Sequence, residues 1–280
     1  MSMFSILAVS DLTPASEHAL ERAALLARQH QAVLRLAHFA EGRHNFFSDP
    51  VARLTQRSRQ LARRHGIEAH ALAASTSLDD LMHEARAASL LVMAPMEQRS
   101  WKTFHLGTTL DQVMQGSHCP LLLVKHAPRG PYQRVLVAVD LSDRTSALID
   151  RARRFSAPCE LQVFHAIDTI EESRLRSASV SFEAMQANRL GTRQHARTRL
   201  LQVIGALGMP DDDPPAFDVG NGDPAYSTAL QQQAIRADLV VVGRRRRSSL
   251  RHFLGGSVAQ RVAQWADSDV LVVPSEDPDT

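Results

Sequence analysis

The sequence predicts an α/β protein made of two tandem, open, doubly wound parallel-sheet domains of Rossmann-like type. Three observations carry this reading. Short apolar runs recur that are continuous rather than alternating, which means burial on both faces, as in a parallel sheet covered by helices. Between these runs the spacing turns helical, as from Glu17 to Gln29 where alanine and leucine recur, so strand and helix alternate along the chain. The whole pattern then occurs twice within 280 residues, a length that suits two ordinary domains.

The duplication is explicit. Ile6 to Thr13 (ILAVSDLT) matches Val135 to Ser142 (VLVAVDLS), setting Asp11 on Asp140. Val33 to Ala40 (VLRLAHFA) matches Leu161 to Ile167 (LQVFHAI), setting His38 on His165. Ser89 to Ala94 (SLLVMA) falls on Asp238 to Gly243 (DLVVVG). Without a gap, Gly107-Thr108 then falls on Gly256-Ser257, and Leu121 to Val124 on Val270 to Val273. The landmarks keep their order, so the repeated unit is a whole domain and not a short solenoid repeat. His126 to Tyr132, with two prolines and a glycine, reads as the linker, which bounds the domains at 1–127 and 133–280. Asp211 to Pro215 reads as a loop leading into a strand from Ala216 to Val219. The stretch 169–181 has no clear period and reads as a loop or a frayed helix start. Ser257 reads as an N-cap, followed by Val258, Val262 and Trp265 on one face.

Bulk composition excludes several classes. Hydrophobic residues make up 44% and charged residues 22%, as in ordinary globular chains, so each half can bury a core. A net charge of +2 is too balanced to imply an obligate nucleic-acid or membrane partner. The only lysines are Lys102 and Lys125, so the positive charge is nearly all arginine, the better fork for carboxylate or phosphate. The two cysteines, Cys119 and Cys159, form no CxxC and fit a reducing compartment. The start MSMFSILAVSD lacks the basic and apolar regions of a signal peptide, and no run is long enough to span a bilayer. A cytoplasmic location is the expectation.

In open parallel sheets, ligands bind beyond the carboxyl ends of the strands, where the strand order reverses. In the second half, Asp140 ends the first strand and His165-Ala166 end the second. Gly243 ends the fourth and opens a loop that closes at Gly255-Gly256-Ser257, where the last helix starts. That helix start offers backbone N–H groups and a positive dipole end to an anion. Two glycines there admit a ligand close to the backbone.

The run from Asp238 to Val273 (DLVVVGRRRRSSLRHFLGGSVAQRVAQWADSDVLVV) resembles the signature of the universal stress protein family. That signature is glycine, two residues, glycine, nine residues, glycine, then serine or threonine. Gly243, Gly256 and Ser257 match it, and Arg246 stands where the middle glycine belongs. VLVAVDLSDRTSAL resembles the family's first strand and its aspartate, and the resemblance covers nearly the whole chain, twice over. In nucleotide-binding relatives the aspartate position and the residue after strand two hold adenine and ribose, and the glycine loop holds ribose and phosphates. The resemblance puts these roles on Asp140, Ala166, Gly243, Gly256 and Ser257, with Arg246 and Gly255 in the same loop. It implies ATP, ADP or AMP as the ligand, with or without magnesium, and a sensor or regulator of the stress response that is at most a slow ATPase. The family commonly dimerises through its last strand. Here both last strands, Leu121 to Val124 and Val270 to Val273, are apolar, and an open apolar edge is a liability. Their pairing would make an intramolecular pseudo-dimer, with a homodimer of whole chains compatible with it.

The first half departs from the signature, with Ala94, Glu97, Gly107 and Thr108 at these positions. Ala94 and Pro95 replace a flexible start, and Glu97 sets a carboxylate where phosphate oxygens would lie. Two like charges about 4 Å apart repel by roughly 1 kcal/mol in water and by more in a cleft. Nucleotide is therefore expected only in the second half.

Blander roles compete at each position. Asp140 could simply cap the turn that follows it. Arg244 to Arg247, with Arg251, form either a grip on phosphates or a solvated loop face, and no aromatic residues interleave with them to stack single strands. His38 and His165 are expected to be packed residues bonding backbone. The thirteen histidines show no recognised ligand spacing and HExxH is absent, so no protein-only metal site is expected. Cys119 reads as a small buried residue. Neither GxSxG nor GxxxxGK[ST] occurs, and no catalytic residue is assigned. Arg246 keeps open a second reading, an interaction scaffold in which both nucleotide sites have decayed. A relative that uses ATP to activate a substrate is a weaker third, since no motif for a second substrate is found.

Overall fold

The computed structural model describes residues 4–40, 49–73, 77–95, 109–156, 158–168, 182–208, 214–244 and 257–274. The chain forms two compact units. In its described residues, the first runs from Phe4 to Pro131 and takes in the last strand from Asp269. The second comprises Tyr132 to Arg244 and Ser257 to Ser268.

The first unit alternates strand and helix: β1 (Ser5–Ser10), α1 (Pro14–His30), β2 (Val33–His38), α2 (Pro50–His65), β3 (Ala69–Ala71), α3 (Leu78–Arg86), β4 (Leu90–Met93), α4 (Thr109–Gly116) and β5 (Leu121–Leu123). These strands lie in the order β3-β2-β1-β4-β5, all parallel. The order reverses between β1 and β4. The helix expected from Glu17 to Gln29 extends by a few residues because Thr13 caps it, accepting from Ser16 N, and Pro14 stands in its first turn. Its buried residues include Ala19, Ala23, Ala24 and Ala27, small side chains that let α1 lie close on β1.

The second unit repeats the plan with β6 (Arg134–Val139), α5 (Thr145–Ser156), β7 (Glu160–Ile167), α6 (Phe182–Ala206), β8 (Ala216–Asn221), α7 (Pro224–Ile235), β9 (Leu239–Arg244) and α8 (Val258–Trp265). Its strands run parallel in the order β9-β6-β7-β8, reversing between β6 and β9. The strand expected to end at Val219 continues to Asn221 through Gly220. A Cβ at Gly220 would sit 2.7 Å from Phe164 Cζ, so any side chain there must displace the ring on β7. Tyr132, at the end of the expected linker, is only 2% exposed and its ring lies 6.4 Å from that of Phe155, which anchors the start of this unit. The stretch 169–181 lies outside the described residues.

One helix face differs from expectation. On α8 the buried residues are Ala259, Gln260, Val262 and Ala263, whereas Val258 and Trp265 are exposed. Helical spacing does align Val258, Val262 and Trp265, but α8 packs on both α7 and β9. That contact turns the seam toward Ala259 and Ala263 and leaves the other two residues at its margin.

The closing strand, β10 (Asp269–Pro274), pairs antiparallel with β5, matching Val270 to Leu123, Leu271 to Leu122 and Val272 to Leu121. The two last strands thus cover each other's edges. A buried ion pair holds the junction. Asp269 Oδ1 accepts from Lys125 N at 2.8 Å, and its Oδ2 lies 3.5 Å from Arg22 Nε. Arg22 Nη1 in turn donates to the Gly130 carbonyl at 2.7 Å. Read along the chain, 269–274 follows the second half; these bonds hold it to the first unit. No described helix is long and apolar enough to cross a membrane.

Candidate functional site

In the second unit the register brings the sequence candidates to one end of the sheet. Val139 pairs with His165 and Ala138 with Val242, so the residues that follow, Asp140, Ala166 and Gly243, emerge together at the carboxyl ends of β6, β7 and β9. This end lies where the strand order reverses, the place where open α/β sheets take ligands.

Asp140 is exposed, and its Oδ1 accepts from Ser142 N at 3.0 Å. Between them Leu141 adopts a left-handed conformation, with φ of 58°. The first unit builds the same turn: Leu12 has φ of 62°, and Asp11 Oδ1 accepts from Thr13 N at 3.0 Å. A leucine held at positive φ is unfavourable by about 1–3 kcal/mol, and such strain gathers at functional turns. Ala166 is 9% exposed and pairs with Gly220. His165 Nδ1 lies 2.9 Å from the Val139 carbonyl. A carbonyl only accepts, so Nδ1 carries the proton and the tautomer is set.

Gly243 sits at the exposed end of β9, and a Cβ there would meet nothing nearer than Leu148 Cδ2, at 3.6 Å. Among the described residues, nothing excludes a side chain at this position. Ser257 is the N-cap of α8: its hydroxyl accepts from Gln260 N at 3.2 Å, and Gln260 Oε1 accepts from Ser257 N at 2.7 Å. This reciprocal box fixes the helix start. The helix is also tied to α7, since Arg261 pairs with Asp223, the N-cap of α7. Burial raises the Asp223 pKa, but its bond to Arg261, two backbone N–H groups and the guanidinium charge outweigh that and hold the carboxyl below its ordinary range. Arg246, Gly255 and Gly256 lie outside the described residues, as do Arg245, Arg247 and Arg251.

A strand-end aspartate, a glycine closing the fourth strand and a serine-capped last helix, set on a duplicated doubly wound sheet, are what the sequence signature requires, and the universal stress protein family matches residues 131–274. The chain belongs to the universal stress protein family. It is of the tandem type, and the matched residues span the half that retains Gly243 and Ser257. Solved structures agree in fold over nearly its whole length. A candidate universal stress protein of Pseudomonas aeruginosa UCBPP-PA14 is 21% identical with a TM-score of 0.69, over 98% of this chain and 94% of that one. A universal stress protein of Archaeoglobus fulgidus DSM 4304 is 18% identical with a TM-score of 0.66, over 96% of this chain and 98% of that one. A universal stress protein solved in complex with cAMP is 26% identical over 52% of this chain and 100% of its own, with a TM-score of 0.37. No curated protein matches the chain.

The other half of this universal stress protein differs at the same end of its sheet. Ala94 is 8% exposed where the second half has glycine, and Pro95 follows it. Glu97, Gly107 and Thr108 lie outside the described residues. Asp111, which falls on Gln260 in the repeat, is a buried carboxylate in the first turn of α4. It sets a negative charge where the last helix of the half begins, opposing an anion there. Sequence reasoning passed over this residue, although its spacing from Thr108 is that of a capping box. His38, at the end of β2, is 5% exposed; burial lowers its pKa, the charge of Asp11 opposes this, and the net value lies below the ordinary one. Cys119 is buried, and burial raises the pKa of Cys159, so neither thiol is primed as a nucleophile. Among the described residues, no group of His, Cys, Asp and Glu is arranged to hold a metal ion.

Proposed function

We propose that the second unit binds an adenine nucleotide, ATP, ADP or AMP, and that the protein acts in the stress response as a nucleotide-responsive sensor or regulator. The observation that carries this reading is the common exit of Asp140, Ala166 and Gly243 at the strand reversal of the second unit. The capped start of α8 supports it. In this reading the exposed Asp140 carboxylate and the backbone at Ala166 hold the base and ribose. Gly243 and Gly256 allow close approach, and the start of α8 with Ser257 and Gly255 faces the phosphates. Arg246 adds a fork that bonds phosphate in two places. The first unit does not bind nucleotide, because Ala94, Glu97 and Asp111 replace glycine and add negative charge. The scaffold reading draws its support from Asp140, whose Oδ1 already serves the turn to Ser142.

Calorimetry with ATP on the wild type, Gly256→Leu and Arg246→Gly tests this. Wild-type heat that weakens with salt and disappears in Gly256→Leu supports the reading. Arg246→Gly should weaken binding if the arginine grips phosphate, and strengthen it if the arginine obstructs the cleft. No heat from the wild type or from Arg246→Gly rejects nucleotide binding and leaves the scaffold.

A further inference from the structure

The two faces of each unit's sheet carry different charge. The strand order reverses between β1 and β4, so right-handed crossovers put α1 and α2 on one face of the first unit and α3 and α4 on the other. The second unit repeats this with α5 and α6 against α7 and α8, and the helices of each pair touch. The α1–α2 pair holds seven arginines against Glu17 and Glu21, and the α5–α6 pair holds seven against Asp150 and Glu183. The opposite pairs hold one arginine each, Arg86 and Arg261, and α3–α4 adds Asp79, Asp80, Glu84 and Asp111.

Composition does not produce this segregation. Arginine fills 14 of the 70 residues in α1, α2, α5 and α6 but two of the 37 in the other four helices. Ion pairing within the fold does not use the charge up either. Glu21 serves Arg57, Arg64 and His65 together, Glu17 meets Arg57 again, and Asp150 is taken by Arg153 and Arg154. Arg59, Arg63, Arg193 and Arg199 are exposed and have no acidic partner among the described residues. No acidic residue occurs from Pro50 to His65 on α2, or from Arg189 to Ala206 on α6. Bordering acids do not cancel the charge. Asp49 is bound as the N-cap of α2, Glu68 pairs with His70, and Asp143 stands beside Arg144. Counting Glu160 and Asp211 to Asp213 still leaves the α5–α6 layer positive.

We propose that these two arginine layers are contact surfaces for the phosphate backbone of a nucleic-acid duplex, bound without regard to base sequence. The net charge of +2 conceals them, because the positive charge is gathered on one face of each unit. Charge complementarity calls for a polyanion, and what the two layers share selects which. Large exposed apolar side chains occur in only one of them, Leu190 and Leu201 on α6, whereas a bilayer-binding helix or a protein interface needs an apolar centre. No described aromatic side chain of these helices is exposed to stack single-stranded bases. The guanidinium fork bonds phosphate oxygens in two places. Arg189, Arg193 and Arg197 recur every four residues, about 6 Å along the helix, and Arg59 and Arg63 do the same on α2. A duplex carries one negative charge per about 1.7 Å of its axis, so each arginine of such a row meets a phosphate whatever the sequence. The proposal uses none of the strand-end residues and is independent of nucleotide binding.

Fluorescence anisotropy of the full chain with a labelled DNA duplex of random sequence, at about 50–200 mM salt, tests it. The wild type should bind with a dissociation constant of about 1–100 μM and a log–log slope against salt of about −3 to −5. Arg63→Glu and Arg193→Glu should each weaken binding about threefold or more and flatten the slope by about one, and the two together should weaken it about tenfold or more. Arg86→Glu makes the same change of charge on the opposite face of the first unit and should leave the affinity within about twofold. All three side chains are exposed, and circular dichroism checks that each variant keeps the fold. No binding by the wild type at the lowest salt overturns the proposal. Equal losses for Arg86→Glu and the two layer variants overturn it as well, since net charge alone would then be acting. Tighter binding to phosphatidylserine vesicles, or to a single strand of equal length, replaces the duplex with a bilayer or an unpaired strand as the occupant.

Discussion

Replacing Asp269 with alanine should loosen the closing strand. The deletion removes the acceptor for Lys125 N at 2.8 Å and the counter-charge 3.5 Å from Arg22 Nε. The two side chains are 8% and 4% exposed, so the Arg22 guanidinium cannot regain water where it stands. Removing one partner of a buried ion pair costs about 3–5 kcal/mol, because the other charge is left uncompensated. Against a total stability of about 5–15 kcal/mol this is a large fraction. Asp269→Asn keeps an acceptor for Lys125 N but not the charge, so it should cost less. Arg22→Met combined with Asp269→Asn removes both charges and keeps that acceptor, so it should return to within about 1–2 kcal/mol of the wild type. Urea unfolding followed by circular dichroism gives the shift in midpoint, and an unchanged slope confirms that stability alone has moved. A loss below about 1 kcal/mol for Asp269→Ala, or a double variant no better than Asp269→Ala, would refute the reasoning.

Four further outcomes follow from local geometry. Gly220→Ala must displace the Phe164 ring, which would lie 2.7 Å from the new Cβ, and should destabilise by about 1–3 kcal/mol; an unchanged melting temperature would show that the ring moves freely. Thr145 is 2% exposed and its Oγ1 is buried without a hydrogen-bond partner, whereas its repeat counterpart Ser16 bonds Ser10 at 2.9 Å. Thr145→Val should therefore stabilise by about 1 kcal/mol, and a lower melting temperature would count against it. Burial holds the pKa of His38 down, so the neutral ring contributes stability that is fully present above the unfolded value of about 6.5 and is lost as pH falls toward the folded value. His38→Gln should flatten the fall in unfolding midpoint over that acid range, and an unchanged slope would assign the fall to other groups. Gly243→Ala should keep the wild-type melting temperature, since Leu148 is 3.6 Å from the new Cβ, yet weaken the calorimetric response to ATP; equal heats would remove Gly243 from the site.

Features determined over a few residues were legible without the structure. Continuous apolar runs located the strands, the duplication separated two units, and Ser257 declared itself as an N-cap by its place before the helical run. The turn after Asp140 was legible for the same reason, as a side chain bonding a backbone N–H two residues ahead. Tertiary structure alone decided the remainder. Nothing near Asp269 in the chain signals that its carboxylate will be buried against Arg22 and will hold β10 to the first unit, because Arg22 lies near the other end of the sequence. The spacing of Val258, Val262 and Trp265 suggested one buried face, but packing against α7 and β9 selected Ala259, Val262 and Ala263 and left an aromatic residue in solvent. Gly220 reads as an ordinary strand residue until the Phe164 ring on the neighbouring strand takes the space of its Cβ. Hydrogen bonds and side-chain periodicity act over one or two turns and are written locally in the chain, whereas burial, steric exclusion and ion pairing depend on residues that only the completed fold brings within a few ångströms.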